Sequence, residues 1–566
     1  MIINNKNILF LILFFASILI IAQNNSIKVG NVFPGEIDMG GFNLSEDSII
    51  EIEGEGASLD EWDNYLNYYG WIIETKSRKV VWRSERCEDY SESDGDYDIE
   101  KELKLKSGIY EVYFASGSKN DKDYNFNMGA IKGLMSGNKS NLKEFREDYF
   151  IKLTGKAGSF EQRKPFELVN DLNKNAIVSI TRVGDSERIE KRFSLTDDTE
   201  FKIYGVGEGV MKQFYDFGYI YDVSKNKKVW MFNRSSASKA GGGKKNIAQK
   251  ANITLPKGSY SVIYKSDDSH SFDEWNVKAP DDPQHWGIVV SLVDESDRKN
   301  ITAFNENDIV EPIVEITKVE EDAFLSKGIS LSKGIKVRIL AVGEGYKELA
   351  DYGWITNADT KETVWKMTSR NTKYAGGGKK NRIVDEVIKL DAGNYIVNYV
   401  SDDSHNYDDW NDSPPFDEER WGITIWASNK KDMSSVSTFN PKTFKSKNLI
   451  TEITKVGDDE KLVKRFNIST ATDVRIIALG EGSGDELVDL AWITDENGNT
   501  IWEMKYNETV HAGGARKNRL LSDVIRFKVG DYKLHYKTDD SHSFNDWNST
   551  PPDNPQMYGV TLLYER

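Results

Sequence analysis

The chain has 566 residues, of which 38% are hydrophobic and 29% are charged, and its formal net charge at pH 7 is -17. This acidic balance disfavours nucleic acids and anionic membrane surfaces as partners, because both need a basic protein surface. The single cysteine, Cys87, cannot form a disulfide within the chain. Stability must therefore come from hydrophobic cores, and the length is sufficient for several domains.

Residues 1–22 have the pattern of a secretory signal peptide. Lys6 precedes an apolar run at 8–21, and Ala22 is a suitable cleavage position. The run is shorter than the roughly 20 residues that a membrane-spanning helix usually needs, although an uncleaved anchor is the alternative interpretation. We expect a soluble protein that is secreted, periplasmic or on the cell surface, with no membrane insertion after cleavage.

Four repeats of one pattern make up the rest of the chain. The pattern of each repeat begins with a Gly-Glu-Gly triplet, which is followed by a small residue, an aromatic residue and isoleucine in succession. A pair of an aliphatic residue and tryptophan comes next, and a Gly-x-Tyr motif follows it. The triplets begin at Gly54, Gly207, Gly343 and Gly480, and the tryptophans of the pairs are Trp82, Trp230, Trp365 and Trp502. This periodicity predicts modules at 26–172, 176–308, 309–447 and 448–566, of which the first is degenerate.

Within a module, apolar and polar residues alternate with the period of two that is typical of β-strands. In the fourth module, eight such segments lie near 450–455, 464–468, 473–479, 490–494, 500–504, 523–528, 531–537 and 557–564. Eight short strands without long helical patterns predict an antiparallel β-sandwich of jelly-roll type. The predicted fold class is therefore all-β, as a tandem array of four such modules.

An acidic stretch occurs in modules two to four and is missing from module one. It reads SDDSHSFDEWN at 266–276, SDDSHNYDDWN at 401–411 and TDDSHSFNDWN at 538–548. Adjacent carboxylates and hydroxyls are hard oxygen ligands that Ca²⁺ accepts, although the order of acids does not match an EF-hand. The candidate metal ligands are Asp267, Asp268, Asp402, Asp403, Asp539 and Asp540. The alternative is structural, because Ser271 and Glu274 have capping-box spacing, which predicts a short helical turn.

A basic glycine-rich loop precedes each acidic stretch. It reads AGGGKKN at 240–246 and 375–381, and AGGARKN at 512–518. No Ser or Thr follows the lysine, so this is not a phosphate-binding P-loop. We expect its cations, including Lys244, Lys379 and Arg516, to pair with the acidic stretch across one rim of the sandwich. Neutralisation of the aspartates by these cations would weaken the calcium hypothesis.

Histidine and tryptophan residues of the acidic stretch are further candidates for ligand binding. They are His270, His405, His542, Trp275, Trp410 and Trp547. Exposed aromatic residues on the rim of a β-sandwich can hold sugar rings or extended peptides, but a structural role is equally open for these tryptophans. Trp286, Trp421 and Tyr558 begin the last predicted strand of their modules, which is typical of core residues.

Sequence signals for catalysis are weak. The chain has no HExxH or GxSxG motif. Asp268, Ser269 and His270 are adjacent in sequence, and adjacent residues seldom have the geometry that a catalytic triad needs. We therefore expect a protein that is not an enzyme and requires no cofactor, with Ca²⁺ as the candidate ion.

A short sequence motif recurs where neighbouring modules meet. It contains Phe160 near the end of module one, Phe304 near the end of module two and Phe439 near the end of module three, and module four has no counterpart. We expect these phenylalanines to pack between neighbouring modules. An ordinary loop with one buried phenylalanine is the alternative.

The strand order, on segments such as 473–479 and 531–537, resembles that of β-sandwich accessory domains of secreted bacterial proteins, of which pre-peptidase C-terminal domains are the nearest. This resemblance implies a non-catalytic auxiliary role. The predicted function is a secreted, non-catalytic, multivalent binding protein for a polysaccharide or a cell-surface partner, since a repeated weak site raises avidity. A purely structural extracellular repeat protein is the first alternative, and a calcium-dependent accessory protein or hydrolase is the second.

Overall fold

The fold is taken from a computed structural model that describes residues 25–32, 35–58, 66–84, 96–116, 149–168, 174–210, 213–272 and 274–565. The predicted signal peptide at 1–22 and most of the polar insertion of module one lie outside these residues. The chain divides into two compact units, Met1–Val310 and Glu311–Arg566. Each unit spans two of the predicted modules, apart from a few residues at the boundary.

The strands of the first unit form antiparallel pairs throughout. They are β1 (Ser26–Gly30), β2 (Ile37–Leu44), β3 (Ser48–Ser58), β4 (Leu66–Glu74), β5 (Lys79–Arg83), β6 (Asp96–Leu105), β7 (Gly108–Ser116), β8 (Phe150–Thr154), β9 (Phe160–Arg163), β10 (Ala176–Thr181), β11 (Arg188–Leu195), β12 (Thr199–Val210), β13 (Gln213–Asp222), β14 (Lys227–Met231), β15 (Ser238–Lys239), β16 (Asn246–Leu255), β17 (Gly258–Lys265), β18 (Gly287–Leu292) and β19 (Ile301–Thr302).

The second unit repeats the same succession of antiparallel strands. They are β20 (Val314–Thr317), β21 (Phe324–Leu331), β22 (Ile335–Glu344), β23 (Tyr352–Asn357), β24 (Thr363–Lys366), β25 (Lys373–Tyr374), β26 (Asn381–Leu390), β27 (Gly393–Val400), β28 (Gly422–Ala427), β29 (Val436–Phe439), β30 (Leu449–Thr454), β31 (Lys461–Ile468), β32 (Thr472–Ser483), β33 (Glu486–Leu487), β34 (Leu490–Asp495), β35 (Thr500–Glu503), β36 (Val510–His511), β37 (Asn518–Phe527), β38 (Gly530–Lys537) and β39 (Gly559–Tyr564).

Helical structure in the described ranges is confined to an α-helical segment at 165–168 and to short 3-10 turns. The 3-10 turns are Pro283–His285, Glu295–Asn300, Glu306–Asp308, Glu418–Arg420, Lys430–Ser435, Tyr506–Glu508 and Pro555–Met557. None of the helices in this part of the chain has the length and apolar character to cross a membrane.

Module three shows the sandwich in its simplest form. One sheet has the order β20-β28-β22-β26 with the short β25 at its edge, and the other has the order β24-β23-β27-β21 with β29 at its edge. We number the strands of module three from one to eight in chain order, from β20 to β28 and without β25. The first sheet then has the order 1-8-3-6 and the second sheet has the order 5-4-7-2. This arrangement confirms the predicted antiparallel jelly roll.

The other modules keep this order. Module four has β30-β39-β32-β37 facing β31-β38-β34-β35. In modules one and two the third strand also pairs with the fourth, β3 with β4 and β12 with β13, so the two sheets are continuous at one end.

The core of each module lies between its two sheets because alternate residues of each strand point inward. In module three, Val337 and Ile339 of β22 are fully buried, as is Trp421, while Trp354 is 1% exposed. Trp286 and Tyr558 are also fully buried, which confirms that Trp286, Trp421 and Tyr558 are core residues. Large aromatic side chains contribute much of the buried apolar area of such small domains.

The motif that recurs at the end of modules one, two and three contributes to an extra strand within its own module. β9 pairs with β2, β19 with β11 and β29 with β21. Phe160 stacks on Phe42 of the same module with ring centroids 4.8 Å apart. Phe439 lies opposite Gly328, where a Cβ atom would meet the phenylalanine ring at 2.5 Å. The expectation that these two phenylalanines pack between modules is therefore wrong, because strand pairing holds each against its own module.

A turn of module two docks on module one within the first unit. The Arg78 guanidinium donates to Glu111 Oε2 at 2.9 Å and to Asp282 Oδ2 at 2.8 Å. The indole of Trp71 donates to the carbonyl of Asp281 at 2.7 Å. The side chains of Arg78, Glu111 and Asp282 are only 7%, 0% and 5% exposed, so both carboxylates depend on one buried cation.

The second unit contains the equivalent contact between modules three and four. Lys366 Nζ pairs with Asp553 Oδ2 at 2.5 Å, and the Tyr352 hydroxyl donates to Asp553 Oδ1 at 2.7 Å. The Trp354 indole donates to Asn554 Oδ1 at 3.0 Å. A tryptophan on the fourth strand of one module therefore receives the proline-containing turn of the next module in both units.

Candidate cation-binding site

Three segments of module three meet at one end of the sandwich. Glu344 is the last residue of β22, Asp351 immediately precedes β23, and Asp402 follows β27 in the acidic stretch. One carboxylate oxygen from each residue lies within 4.8 Å of the others. The same arrangement in module four joins Glu481, Asp489 and Asp539. We call each set the carboxylate cluster of its module.

Module two has the equivalent residues Glu208, Asp216 and Asp267, although among the described residues only the sets of modules three and four bring all three carboxylates within 4.8 Å of one another. In all three modules, the backbone N–H of the acidic stretch donates to the buried aspartate. The donor–acceptor distances are 2.9 Å for Asp267 to Asp216, 2.9 Å for Asp402 to Asp351 and 3.0 Å for Asp539 to Asp489. This bond fixes the first aspartate of the stretch beside the cluster.

A lysine of the basic loop binds one oxygen of each cluster glutamate. The Nζ–Oε1 distances are 2.7 Å for Lys245 and Glu208, 2.7 Å for Lys380 and Glu344, and 2.9 Å for Lys517 and Glu481. The other oxygen, Oε2, is buried in all three glutamates and has no hydrogen-bond partner among the described residues. A buried oxygen without a partner is costly, which indicates that another group belongs at this position.

Burial and neighbouring negative charge raise the pKa values of the buried cluster aspartates. Burial, followed by the charges of Asp267 and Glu208, raises the pKa of Asp216 well above its usual value. Burial likewise raises the pKa of Asp351 strongly and that of Asp489 to about 7. One lysine cannot compensate three carboxylates, so the lysines do not neutralise the site. The negative charge of the cluster can be balanced either by protons or by a bound cation.

The basic loop is tied to the acidic stretch by a histidine and an asparagine. The Nε2–Oδ1 distance is 2.6 Å in each of the pairs His270–Asn246, His405–Asn381 and His542–Asn518. Each asparagine also donates from Nδ2 to two backbone carbonyls, so its Oδ1 accepts from the imidazole N–H. Burial lowers the pKa of His270 and of His542 to about 4. The rings are therefore neutral structural donors at pH 7 in these two modules.

The candidate tryptophans pack against core residues, and Trp410 and Trp547 remain half-exposed. Trp275 is 6% exposed and meets His270 and Trp286 in edge-to-face contacts at 5.2 and 5.0 Å. Trp410 packs on Trp421 at 5.1 Å, and Trp547 packs on Tyr558 at 5.0 Å. Packing in the core accounts for Trp275 and for the buried His270, His405 and His542. The hypothesis that Trp410 and Trp547 belong to an aromatic ligand surface stays a prediction.

Several predicted site residues lie outside the clusters. Asp268, Asp403 and Asp540 are exposed, and only the first aspartate of each pair joins its cluster. Lys244, Lys379 and Arg516 are also exposed, whereas the following lysine of each loop binds the cluster glutamate. Adjacent loop residues point in different directions. The residue that pairs with the glutamate is therefore the one that follows the predicted residue in the sequence.

The helical turn that capping-box spacing predicted is absent from the described acidic stretches. Ser271 and Glu274 form an isolated antiparallel bridge, as do their counterparts in modules three and four. His270, at φ 58°, lies in the left-handed region just before this bridge, and His405 and His542 have the same φ. This backbone conformation directs the imidazole inward and prevents a regular helical turn.

In module three a cavity opens beside the carboxylate cluster. It has a volume of about 230 Å³ and is lined by Glu344, Gly378, Lys380, His405, Asn411 and Asp412. The cluster glutamate is therefore reachable from a polar cavity even though its side chain is almost fully buried. An ion at the cluster would face this cavity with part of its coordination sphere.

Sequence reasoning missed the glutamates and the buried aspartates of the clusters. The sequence does contain a signal for the buried aspartates. In modules two to four an aspartate stands two residues before the small residue that precedes the aromatic residue and isoleucine, as Asp351 does before Gly353. Module one keeps Glu55 but has Tyr68 at the aspartate position and Gly117 at the position of Asp267. The two aspartates and the basic loop are thus present or missing together.

Comparisons with known proteins assign no family to the chain. No protein-family model and no curated protein matches it. One solved structure that matches is the CUB1-EGF-CUB2 domain of human MASP-1/3, at 13% sequence identity, with 44% of this chain and 96% of that chain covered and a TM-score of 0.13. At this TM-score the two structures do not superpose as a whole, and the predicted resemblance to pre-peptidase C-terminal domains stays a prediction.

Proposed function

We propose that modules two, three and four each bind one divalent cation, Ca²⁺, at the carboxylate cluster. The observation that carries this proposal is the unpartnered, buried glutamate oxygen of Glu208, Glu344 and Glu481. In modules three and four this glutamate stands within a set of three converging carboxylates. An ion coordinated there would satisfy the orphaned oxygen and balance the remaining negative charge.

Chemistry favours Ca²⁺ over other metal ions. The available ligands are carboxylate oxygens, which hard cations prefer, and the nearby imidazole Nε2 atoms are already bonded to asparagine. Ca²⁺ accepts six to eight oxygens in flexible geometry, so three carboxylates can be completed by oxygens from the cavity side. Mg²⁺ demands a tighter octahedral arrangement and gives up its water reluctantly.

The function that this site supports best is non-catalytic, multivalent binding by a secreted protein. Three copies of the cluster within one chain would give avidity if the ligand engages more than one of them. The polar cavity beside Glu344 would let hydroxyl or carboxylate oxygens of a ligand complete the coordination of the ion. A polysaccharide or a glycosylated cell-surface partner carries such oxygens.

A structural function is the second candidate. The buried Arg78 contact and the half-buried Lys366 contact, which join modules within each unit, favour it. In that case the ions would only hold the acidic stretch and the basic loop together, and no ligand would bind at the rim.

Thermal unfolding of the full chain in Ca²⁺ and in chelator tests the cation site. We expect Ca²⁺ to raise the midpoint, and we expect Asp351→Asn combined with Glu344→Gln to lose the part of that rise that module three contributes. Glu55→Gln in module one is the matched control and should keep the full rise. An unchanged midpoint in the wild type would refute the site.

Retention of the full chain on insoluble polysaccharides and on whole cells separates the two functions. Binding that requires Ca²⁺ and weakens as clusters are removed one by one would support multivalent recognition. Ca²⁺-dependent stability without any retention would favour the structural function.

A further inference from the structure

One loop of modules two and four carries both the acidic stretch and the residues that dock on the preceding module. In module four this loop joins β38 to β39, with Asp539 of the cluster near its start. Near its end, Asp553 and Asn554 form the docking turn, which contacts module three. In module two the loop from β17 to β18 has Asp267 and the docking turn 281–282 at the equivalent positions. The cation site and the joint to the preceding module therefore share one segment of chain.

The first residues of the basic loop hold the docking turn. In module four the backbone N–H of Asp553 donates to the carbonyl of Ala512 at 3.0 Å, and in module two Asp281 donates to Ala240 at 2.7 Å. A Cβ atom added at Gly513 would lie only 1.8 Å from Asp553 Oδ1. A glycine at this position therefore lets the basic loop approach the docking turn closely.

The last residues of the same basic loop contact the cation site. In module four, Lys517 binds Glu481 of the cluster. The next residue, Asn518, pairs with His542 and donates from Nδ2 to the carbonyl of Thr550 at 3.0 Å, shortly before the docking turn. The equivalent bonds are present in module two. The basic loop thus connects the cluster to the docking turn in both modules.

An ion at the cluster and the preceding module would both hold this loop in one conformation. The ion would fix Asp539, while module three fixes Asp553 through Lys366 and Tyr352. A loop that is already held at one end loses less conformational entropy when its other end is fixed. Because such coupling is reciprocal, docking strengthens cation binding by the same factor by which the ion strengthens docking.

Given the proposed cation site, on which this inference rests, we propose that the preceding module sets the affinity of that site. Tyr352 and Lys366 of module three are positioning residues for the ion of module four, and they act through the docking turn that they bind. Arg78 and Arg83 of module one have the same role for module two, because they pair with Asp282 and Asp281. The Ca²⁺ affinity of modules two and four then depends on the joint within each unit.

Titration calorimetry with CaCl2 tests this proposal on full-length chains that keep a single cluster. In the first chain module four keeps its cluster, and the other two clusters are removed by Glu208→Gln, Asp216→Asn, Glu344→Gln and Asp351→Asn. Adding Tyr352→Phe and Lys366→Met should weaken the Ca²⁺ affinity of this chain at least about fivefold. Module two has Phe217 and Met231 at these two positions, so the fold accommodates both residue types.

A second chain, in which only module two keeps its cluster, supplies the matched control. Tyr352→Phe with Lys366→Met should leave its Ca²⁺ affinity unchanged, because module two docks on module one. Arg83→Met should weaken this second chain by a similar factor, which gives an independent test at the other joint.

Equal Ca²⁺ affinity of the first chain with and without the double substitution would overturn the inference and leave the proposed cation site standing. An equal loss in both chains would also overturn it, because a general loss of stability would then explain the change. If neither chain binds Ca²⁺ before these substitutions, the proposed cation site fails together with the inference.

Discussion

The Nε2 atom of His405 lies 2.6 Å from the Oδ1 atom of Asn381, and this bond joins the acidic stretch of module three to its basic loop. The residues are 24 positions apart, as are the corresponding pairs in modules two and four, where the distance is the same. The rim of modules two, three and four is therefore held by a histidine–asparagine hydrogen bond, while the lysine of the loop binds the cluster glutamate.

Replacement of His405 by alanine should destabilise the protein. It would leave Asn381 Oδ1 buried without a donor, which costs about 1–3 kcal/mol. Urea unfolding followed by tryptophan fluorescence measures the change. His511 is exposed, so His511→Ala should change the free energy of unfolding by less than about 0.5 kcal/mol. Equal effects of the two substitutions would contradict the structural role of His405.

Trp410→Ala distinguishes a core role from a ligand surface. The ring packs edge-to-face on both His405 and Trp421, so its removal should cost about 3–5 kcal/mol, as for other large aromatic residues in cores. Trp410→Phe should cost less. If Trp410→Ala instead removed ligand retention at unchanged stability, the ring would belong to a binding surface after all.

Arg78→Met should strongly weaken the docking of module two on module one. The substitution leaves Glu111 and Asp282 buried without their cation, and breaking one partner of a buried ion pair typically costs about 3–5 kcal/mol. Chemical denaturation of the full chain measures the loss. Adding Asp282→Asn to Arg78→Met should recover part of it, because one uncompensated charge is removed. A neutral effect of Arg78→Met alone would refute this description of the contact.

The pKa of Asp489 predicts a specific pH dependence in the absence of cations. The folded-state pKa of about 7 lies above the unfolded value of about 3.9, so the protonated form favours the folded state. The stability that this group contributes is complete below about pH 4 and is lost as pH rises through 7, by up to roughly 1.4 kcal/mol per pH unit.

Asp489→Asn should remove that loss, because asparagine carries no charge at any of these pH values. In chelator, the free energy of unfolding of the variant relative to the wild type should therefore increase from pH 5 to pH 8. Chemical denaturation at both pH values measures the two differences, and the histidines contribute equally to both proteins. A difference that does not change with pH would contradict the assigned pKa.

Local patterns were sufficient to predict the strands. The predicted segments near 464–468 and 531–537 correspond to β31 and β38, because alternation of apolar and polar residues reports directly which face of a strand is buried. Each of the other six predicted segments of module four also overlaps an observed strand.

The site was harder to predict because it depends on contacts between distant segments. Asp351 and Asp402 become neighbours only when β23 and β27 pair. The acidic stretch marked Asp402 as a candidate ligand, whereas the segment of Asp351 carries no cluster of acids that would mark it as one. The choice between Lys379 and Lys380 depends on the direction of one side chain in a loop. The left-handed φ of His405 overrides the local capping pattern, because the bond to Asn381 holds the ring inside.

Equilibrium dialysis of the full chain against labelled Ca²⁺ at pH 8 tests the central claim most directly. The three clusters predict three bound ions per chain, with two remaining in the variant that carries both Glu344→Gln and Asp351→Asn. Module one has no aspartate at either cluster position, so a fourth ion is not expected. A chain that binds no Ca²⁺, or a double variant that still binds three ions, would contradict the account.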